Sequence, residues 1–381
     1  MLSLAGCAGS AGALDASARD AAPVHDGALV ERDAAMDATV MDDAAIADAA
    51  STEPDAGREP VVFGDVPVPG SRTCAPPRSI ARGATTAFTL GGQAAWFHDE
   101  GHEAGFFHTY DALVACTGAS PRKVHVFLPR DYEASARRYP VLYLNDGQTA
   151  FFTDNPVGKT WDYAGVISEL RRCGEIEDLI VVAPHPLDRN REYTHDEFLA
   201  DRSCCGVPDY TTYVADCLRG FVERSYRVET GPARTAIAGS SHGGLAAFWI
   251  ATARPDVFGA AAAVSPSFWV GLDGRLDGSV SPTPLTESPL YAHARSVLAD
   301  GERRPRLWLD WGLVREGGVH NSIIEHLATV RGREMATLLI DAHGYARDAE
   351  LAAYEDPDGG HDEDTWRTRL PAILRWLFPA R

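Results

Sequence analysis

Thr235-Ala-Ile-Ala-Gly-Ser-Ser-His-Gly-Gly244 is the stretch that decides how this chain is read. Apolar Ala236, Ile237 and Ala238 lead into Gly239-Ser-Ser-His-Gly243, and Leu245-Ala-Ala-Phe-Trp-Ile250 follows. A short buried strand, a tight turn and a helix fit this order. The turn matches G-x-S-x-G with Ser241 at its centre. At the apex of such a turn a serine is held in a strained backbone conformation, its hydroxyl exposed in a cleft above a helix N-terminus. Glycines flank it because strand and helix pass too close for a Cβ.

Outward from that turn, strands and helices alternate. Pro140-Val-Leu-Tyr-Leu144, Leu179-Ile-Val-Val-Ala183, Ala260 to Val264 and Arg306-Leu-Trp-Leu-Asp310 read as buried strands. Glu350 to Tyr354 is a further short strand. Helical spacing runs through Trp161 to Cys173, Asp209 to Tyr226, Asn321 to Val330 and Trp366 to Leu377. Between 85 and 130 the pattern is different. Ala87–Leu90, Ala94–Phe97, Phe106–Tyr110, Leu113–Cys116 and Val124–Leu128 alternate and carry β-branched or aromatic residues, as antiparallel edge strands do. The sum is an α/β fold: a mainly parallel central sheet with helices on both faces and antiparallel N-terminal edge strands.

The chain of 381 residues is 45% hydrophobic, ample for a core, with a formal charge of −19. Residues 8–60 hold twelve acidic and three basic residues, so a net of −9 lies in one Ala/Asp/Gly-rich segment without aromatics. Such a segment buries too little apolar surface to offset its chain entropy, and it reads as a disordered tether. Leu4-Ala-Gly-Cys7 before it matches a bacterial lipobox. Only six residues precede Cys7, so this reading places the natural start further upstream and makes Cys7 the lipid anchor of an extracytoplasmic protein, either an outer-membrane lipoprotein or a periplasmic or secreted one. The boundary between tether and folded domain is set at residues 70 and 71, within a Pro-rich linker spanning 60–80. An acidic chain with no long Lys/Arg cluster is a poor partner for nucleic acid. Membrane contact is expected only through Cys7, since no apolar run reaches spanning length.

Setting Cys7 apart leaves Cys74, Cys116, Cys173, Cys204, Cys205 and Cys217, an even number suited to an oxidising compartment. No C-x-x-C spacing points to zinc. Adjacent Cys204 and Cys205 are expected not to pair with each other, because neighbours strain the bridge. Cys173 and Cys217, on helical patterns, are the best candidates for free thiols.

A serine hydroxyl needs a base, and the base needs an orienting carboxylate. In this architecture they follow in the order Ser, Asp/Glu, His. His361, in Asp358-Gly-Gly-His-Asp-Glu-Asp-Thr-Trp366 between a strand and the last helix, is the base. For the acid, Glu316 in the Gly-flanked loop Gly312–Gly318 is favoured over Asp310, which is still within its strand. The tetrahedral intermediate needs two N–H donors. His242 supplies one from its backbone, and Gln148, after the strand ending at Leu144, supplies the other. Arg191, Phe151, Phe152, Trp161, Phe268 and Trp311 are candidates for lining a substrate cleft. No metal or organic cofactor is called for. The cluster Asp356, Asp358, Asp362 and Asp364 lacks a calcium-loop spacing.

Tyr143-Leu-Asn-Asp-Gly-Gln148, Arg191-Glu-Tyr-Thr194, Gly239-Ser-Ser-His-Gly-Gly244, Ser265-Pro-Ser-Phe-Trp269 and Gly359-Gly-His361 together resemble the esterase D / enterochelin-esterase-like branch of the α/β-hydrolases. The resemblance covers about residues 105–380 and extends to feruloyl esterases and mycolyltransferases. It implies an α/β-hydrolase fold, oxyanion donors at Gln148 and His242, and an acid a few residues after a strand-closing glycine, which maps onto Gly312 and Glu316. The loop Trp311–Glu316 is bulkier than the family's usual small polar version. The expected function is a serine carboxylic-ester hydrolase acting through an acyl-enzyme on a small-molecule or polymer-linked ester of siderophore, feruloyl or acetyl type. An acyltransferase of the same family, or a non-catalytic surface-binding lipoprotein on the same scaffold, are the alternatives.

Overall fold

The computed structural model describes residues 61–67, 74–199, 202–274 and 277–381. The lipobox-like start and the acidic tether up to residue 60 lie outside the described residues. Among the described residues, eleven strands form one sheet in the order β1-β11-β10-β9-β8-β6-β7-β5-β4-β3-β2. They are β1 (Gly64–Asp65), β2 (Thr86–Leu90), β3 (Gln93–His98), β4 (Gly105–Leu113), β5 (Arg122–Pro129), β6 (Val141–Leu144), β7 (Ile180–Pro184), β8 (Thr235–Ser240), β9 (Ala260–Val264), β10 (Arg306–Gly312) and β11 (Leu351–Asp356). From β1 to β7 across the sheet all pairings are parallel. From β7 through β5, β4 and β3 to β2 they are antiparallel, which matches the alternation seen between residues 85 and 130.

β6, β7, β8 and β9 are buried along their whole length. Parallel strands covered on both faces read as continuous apolar runs for this reason. β9 shows the two faces: Ala261 and Ala263 join one core cluster, whereas Ala260, Ala262 and Val264 join the other. Small residues there let the helix His242–Ala253 pack closely, and that helix is buried nearly all round. β1 pairs with β11 through Gly64 and Asp65, so the folded domain begins before the expected boundary at 71. The strand expected at Leu113–Cys116 is instead the end of β4, which stops at Leu113. The helix expected at Asn321 to Val330 continues to Asp341.

The cysteine expectations need correcting. Disulfides join Cys74 to Cys173, Cys116 to Cys217, and the neighbours Cys204 and Cys205. Cys173 ends the helix Tyr163–Arg172 and Cys217 lies at the partly exposed edge of its helical turn. Both are therefore reachable by loops packed on the outside. The adjacent pair becomes possible where Cys205 takes a left-handed backbone, φ 71°. The first two bridges close loops of 99 and 101 residues. Removing Cys74–Cys173 by a double alanine substitution is expected to cost about 2–5 kcal/mol in urea unfolding. A loss below about 0.5 kcal/mol would show that this loop is already constrained in the unfolded chain.

Candidate active site

β8 ends at Ser240, and the helix His242–Ala253 begins two residues later. Between them Ser241 has φ 55° and ψ −124°, a conformation that costs a non-glycine residue on the order of 1–3 kcal/mol and persists only where its surroundings enforce it. The surroundings are visible. Ser241 N–H donates to the Val264 carbonyl, and the Ser241 carbonyl accepts from the N–H groups of Gly244, Leu245 and Ser267. A Cβ on Gly239 would lie 2.4 Å from the Gly243 carbonyl oxygen, so strand and helix can approach this closely only without one.

β6 points its C-terminal turn at the same place. Asn145 Nδ2 donates to the Gly243 carbonyl at 2.8 Å and Asn145 Oδ1 accepts from the Tyr210 hydroxyl at 3.0 Å. Asp146 is left-handed, φ 59°; its N–H donates to the Tyr193 hydroxyl and its carboxylate receives Arg189 through two bonds of 2.8 and 2.9 Å. The short helix Gly147–Ala150 follows, and the N–H groups of a helix's first turn have no partner within the helix. Gln148 lies in that turn, half-buried, with its Nε2 donating to Asp146 Oδ1.

His361 lies in the loop after β11. Its N–H donates to Asn321 Oδ1 at 2.8 Å, and its ring meets the edge of Trp366. Its Nδ1 is 2.5 Å from Glu325 Oε2, so the carboxylate beside the imidazole is Glu325, not the expected Glu316. Glu316 is on an exposed loop, where its carbonyl accepts from Asn321 Nδ2. Asp310, the other candidate, is fully buried but turned away into Arg369 (2.6 Å) and Trp308 Nε1 (2.6 Å). Burial pushes the Asp310 carboxyl upward against these partners.

Glu325 closes the π-helical turn His320–Glu325 that enters the helix His326–Asp341. Such turns shift the register of a helix face and recur at functional sites. The carboxylate is fully buried, and its Oε1 accepts from the Gly312 N–H and from Ser265 Oγ (2.9 Å). Burial alone would raise its pKa; the hydrogen bond and charge of His361, with Arg369 and the Gly312 N–H, outweigh burial and hold it below the usual carboxylate value. The sequence does carry a signal for it. Glu325 is the one acid on a helix face whose buried members include Ala328, Thr329, Gly332, Met335 and Ala336.

The turn after β9 joins the two halves. Ser265 has φ 41° and its N–H donates to the Asp310 carbonyl. Its hydroxyl donates to Glu325 and accepts from Trp366 Nε1 at 3.2 Å. Two residues on, Ser267 Oγ lies 3.3 Å from Ser241 Oγ and 2.8 Å from His242 Nδ1. The His242 ring is buried against Phe198 and Trp269. Burial, then the nearby charges of Arg189, His361 and His195, drive its pKa well below the normal histidine value, so the ring is neutral.

Most of the expected cleft-lining residues are packed into the core. Phe268 is fully buried in the core against Phe248, and Trp311 is buried beneath Phe63 with its Nε1 on Glu355. Trp161 is stacked on Trp366, one layer behind His361. Phe151 and Phe152 pack with Phe107. Large aromatics bury where the most apolar area can be removed from water. Arg191 points outward, its side chain 57% exposed and near Asp209. Its neighbour Arg189 occupies the Asp146 turn instead.

A family model described as "Putative esterase" matches residues 117–377. The Iron(III) salmochelin esterase of Escherichia coli O6:H1 is 28% identical over 268 residues, covering 70% of this chain and 57% of that protein. This chain spans less than 60% of the length of the curated relatives it matches. Among solved structures, the BES protein from Bacillus cereus is similar with a TM-score of 0.52 at 17% identity, covering 71% of this chain and 94% of that one. The siderophore hydrolase EstA from Aspergillus nidulans is similar with a TM-score of 0.51 at 20% identity, covering 69% and 92%. The fold is therefore that of the α/β-hydrolase esterases, as the alternation of strands and helices around the elbow implied. With the match running from the residue after Cys116 to the end of the last helix, the chain belongs to the esterase family that this model describes.

Proposed function

We propose that this protein is a serine carboxylic-ester hydrolase in which Ser241 is the nucleophile, His361 the base and Glu325 the orienting acid. The observation that carries the reading is the turn Ser265–Ser267, whose two hydroxyls touch Glu325 at one end and Ser241 at the other. It ties a strained serine to a buried carboxylate–imidazole pair contributed from far along the chain. In the reaction Ser241 Oγ attacks the ester carbonyl while His361 takes its proton. His361 returns that proton to the leaving alcohol, and water then repeats the sequence on the acyl-enzyme. The backbone N–H groups of His242 and Gln148 are the donors for the oxyanion. Glu325 holds the imidazole in the tautomer that leaves its other nitrogen free to accept.

The name of the salmochelin esterase relative supports an ester of siderophore type as the substrate. Three disulfides support a location outside the reducing cytoplasm, and lipidation at Cys7 would fix the protein to a membrane surface. Among the described residues no helix is long and apolar enough to cross a membrane.

Ser241→Ala is expected to reduce turnover of a short p-nitrophenyl ester by at least about 10³-fold with the unfolding midpoint little changed. The wild type should be labelled by a fluorophosphonate on the peptide carrying Ser241. Turnover retained in the alanine variant would refute the assignment.

A further inference from the structure

Ser267 has no place in the triad or the oxyanion hole, yet its hydroxyl stands between two of their members. It is completely buried, 3.3 Å from Ser241 Oγ and 2.8 Å from His242 Nδ1. Its N–H donates to the Ser241 carbonyl at 3.1 Å, which fixes the Ser267 backbone against the elbow. The other wall is rigid too: Phe198 meets the His242 ring edge-on at 4.7 Å and Trp269 lies 5.7 Å away. A polar pair enclosed by aromatic rings is placed for a purpose other than packing, because buried hydroxyls and imidazoles are costly unless bonded.

Three atoms in a row, His242 Nδ1, Ser267 Oγ and Ser241 Oγ, can share protons in two directions. In one, Ser241 donates to Ser267 and Ser267 to His242. That ties up the proton His361 must take. In the other, His242 Nδ1–H donates to Ser267, and Ser267 O–H donates to a lone pair of Ser241. The Ser241 proton is then free to face His361, and a donor already points at the oxygen that gives that proton up.

The geometry points to the second arrangement: Ser267, oriented by His242 Nδ1 at 2.8 Å, is a hydrogen-bond donor to the nucleophile oxygen and promotes its attack. This rests on the serine-esterase reading above. The bookkeeping is simple. As the Ser241 O–C bond forms, the Ser241 proton moves to His361. The Ser267 proton stays on Ser267 and strengthens its bond to the oxygen losing its own. No proton passes to His242, whose neutral state suits a donor that is only polarised. The same turn thus serves both ends of the site, with Ser265 on the acid and Ser267 on the nucleophile.

The donor matters when Ser241 attacks and much less when water attacks the acyl-enzyme. Acylation and deacylation therefore separate a role on the nucleophile from a structural one. Pre-steady-state turnover of p-nitrophenyl acetate measures both, and the rate of fluorophosphonate inactivation reports Ser241 attack alone. Ser267→Ala is expected to lower acylation and inactivation about 10–100-fold, the scale of one lost buried hydrogen bond, with deacylation within about twofold. Ser267→Cys, nearly isosteric with a weak donor, should fall between the alanine variant and wild type, and it carries the test by itself if the alanine variant does not fold. Acylation that rises or stays unchanged overturns the proposal, as does an equal fall in both steps. Failure of the esterase reading would look different, since the wild type would then show neither a burst nor labelling.

Discussion

Glu325→Gln is expected to lower kcat/KM on a p-nitrophenyl ester about 10³–10⁴-fold, while Glu316→Gln leaves it within about twofold. The amide keeps an oxygen for the Gly312 N–H and Ser265 hydroxyl that Glu325 Oε1 now accepts. Its NH₂ replaces Oε2 opposite His361 Nδ1. Two donors cannot face each other, so the imidazole must present an unprotonated Nδ1 and carry its proton on the nitrogen that should receive the one from Ser241. The geometry survives and the tautomer is wrong. Loss of the carboxylate also removes the charge that stabilises imidazolium as it forms. Glu316 has none of these contacts and is exposed. A comparable loss in the Glu316 variant, with Glu325→Gln active, would return the acid to the loop after β10.

Acidification from pH 7 to 4.5 is expected to destabilise the fold by at least about 6 kcal/mol, most of it before the carboxylates titrate. His108, His185 and His195 are held neutral by burial, each with its pKa pushed down to about 4 from the ordinary 6.5. Between pH 6.5 and 4 the unfolded chain binds a proton on each that the folded chain refuses. Stability therefore rises with pH across that window and falls on acidification, by about 2 kcal/mol for each ring at pH 4.5. Glu325 acts in the same direction below its ordinary value of 4.5, because its carboxylate form is favoured by the fold. Urea unfolding at the two pH values measures the total. His195 offers a clean subtraction, since neither ring nitrogen has a hydrogen-bond partner among the described residues and the ring stacks on Trp249. His195→Phe should preserve stability at pH 7 and remove about 2 kcal/mol of the acid loss. An unchanged pH slope would show that His195 is protonated in the folded protein.

Strand and helix positions were legible because they follow from local periodicity. β6, β7, β9 and β10 each begin or end within a residue or so of the apolar run that announced them. The elbow was legible as well, since Gly239, Ser241 and Gly243 are adjacent in sequence and the constraint that selects them is adjacent in space. The acid was not. Glu325 lies thirteen residues past Gly312, and a π turn, not a loop, brings it to His361. Reading the carboxylate as the first acid after the strand assumed a short path. The buried stripe on the helix His326–Asp341 marks it only after the helix is known to face the sheet. Aromatics misled for a related reason: Trp161, Phe268 and Trp311 are equally suited to a cleft and a core, and burial of apolar area chose the core.

By itself the sequence determined the α/β alternation, the antiparallel edge and the serine turn, all set by backbone preferences and side-chain periods over a few residues. Tertiary structure alone decided that Glu325 faces His361, that Arg189 and not Arg191 holds the Asp146 turn, which cysteines pair, and that the turn Ser265–Ser267 connects Glu325 to Ser241. Those are contacts between residues distant along the chain. They exist only once strands β8, β9, β10 and β11 lie side by side and bring their C-terminal ends to one edge of the sheet.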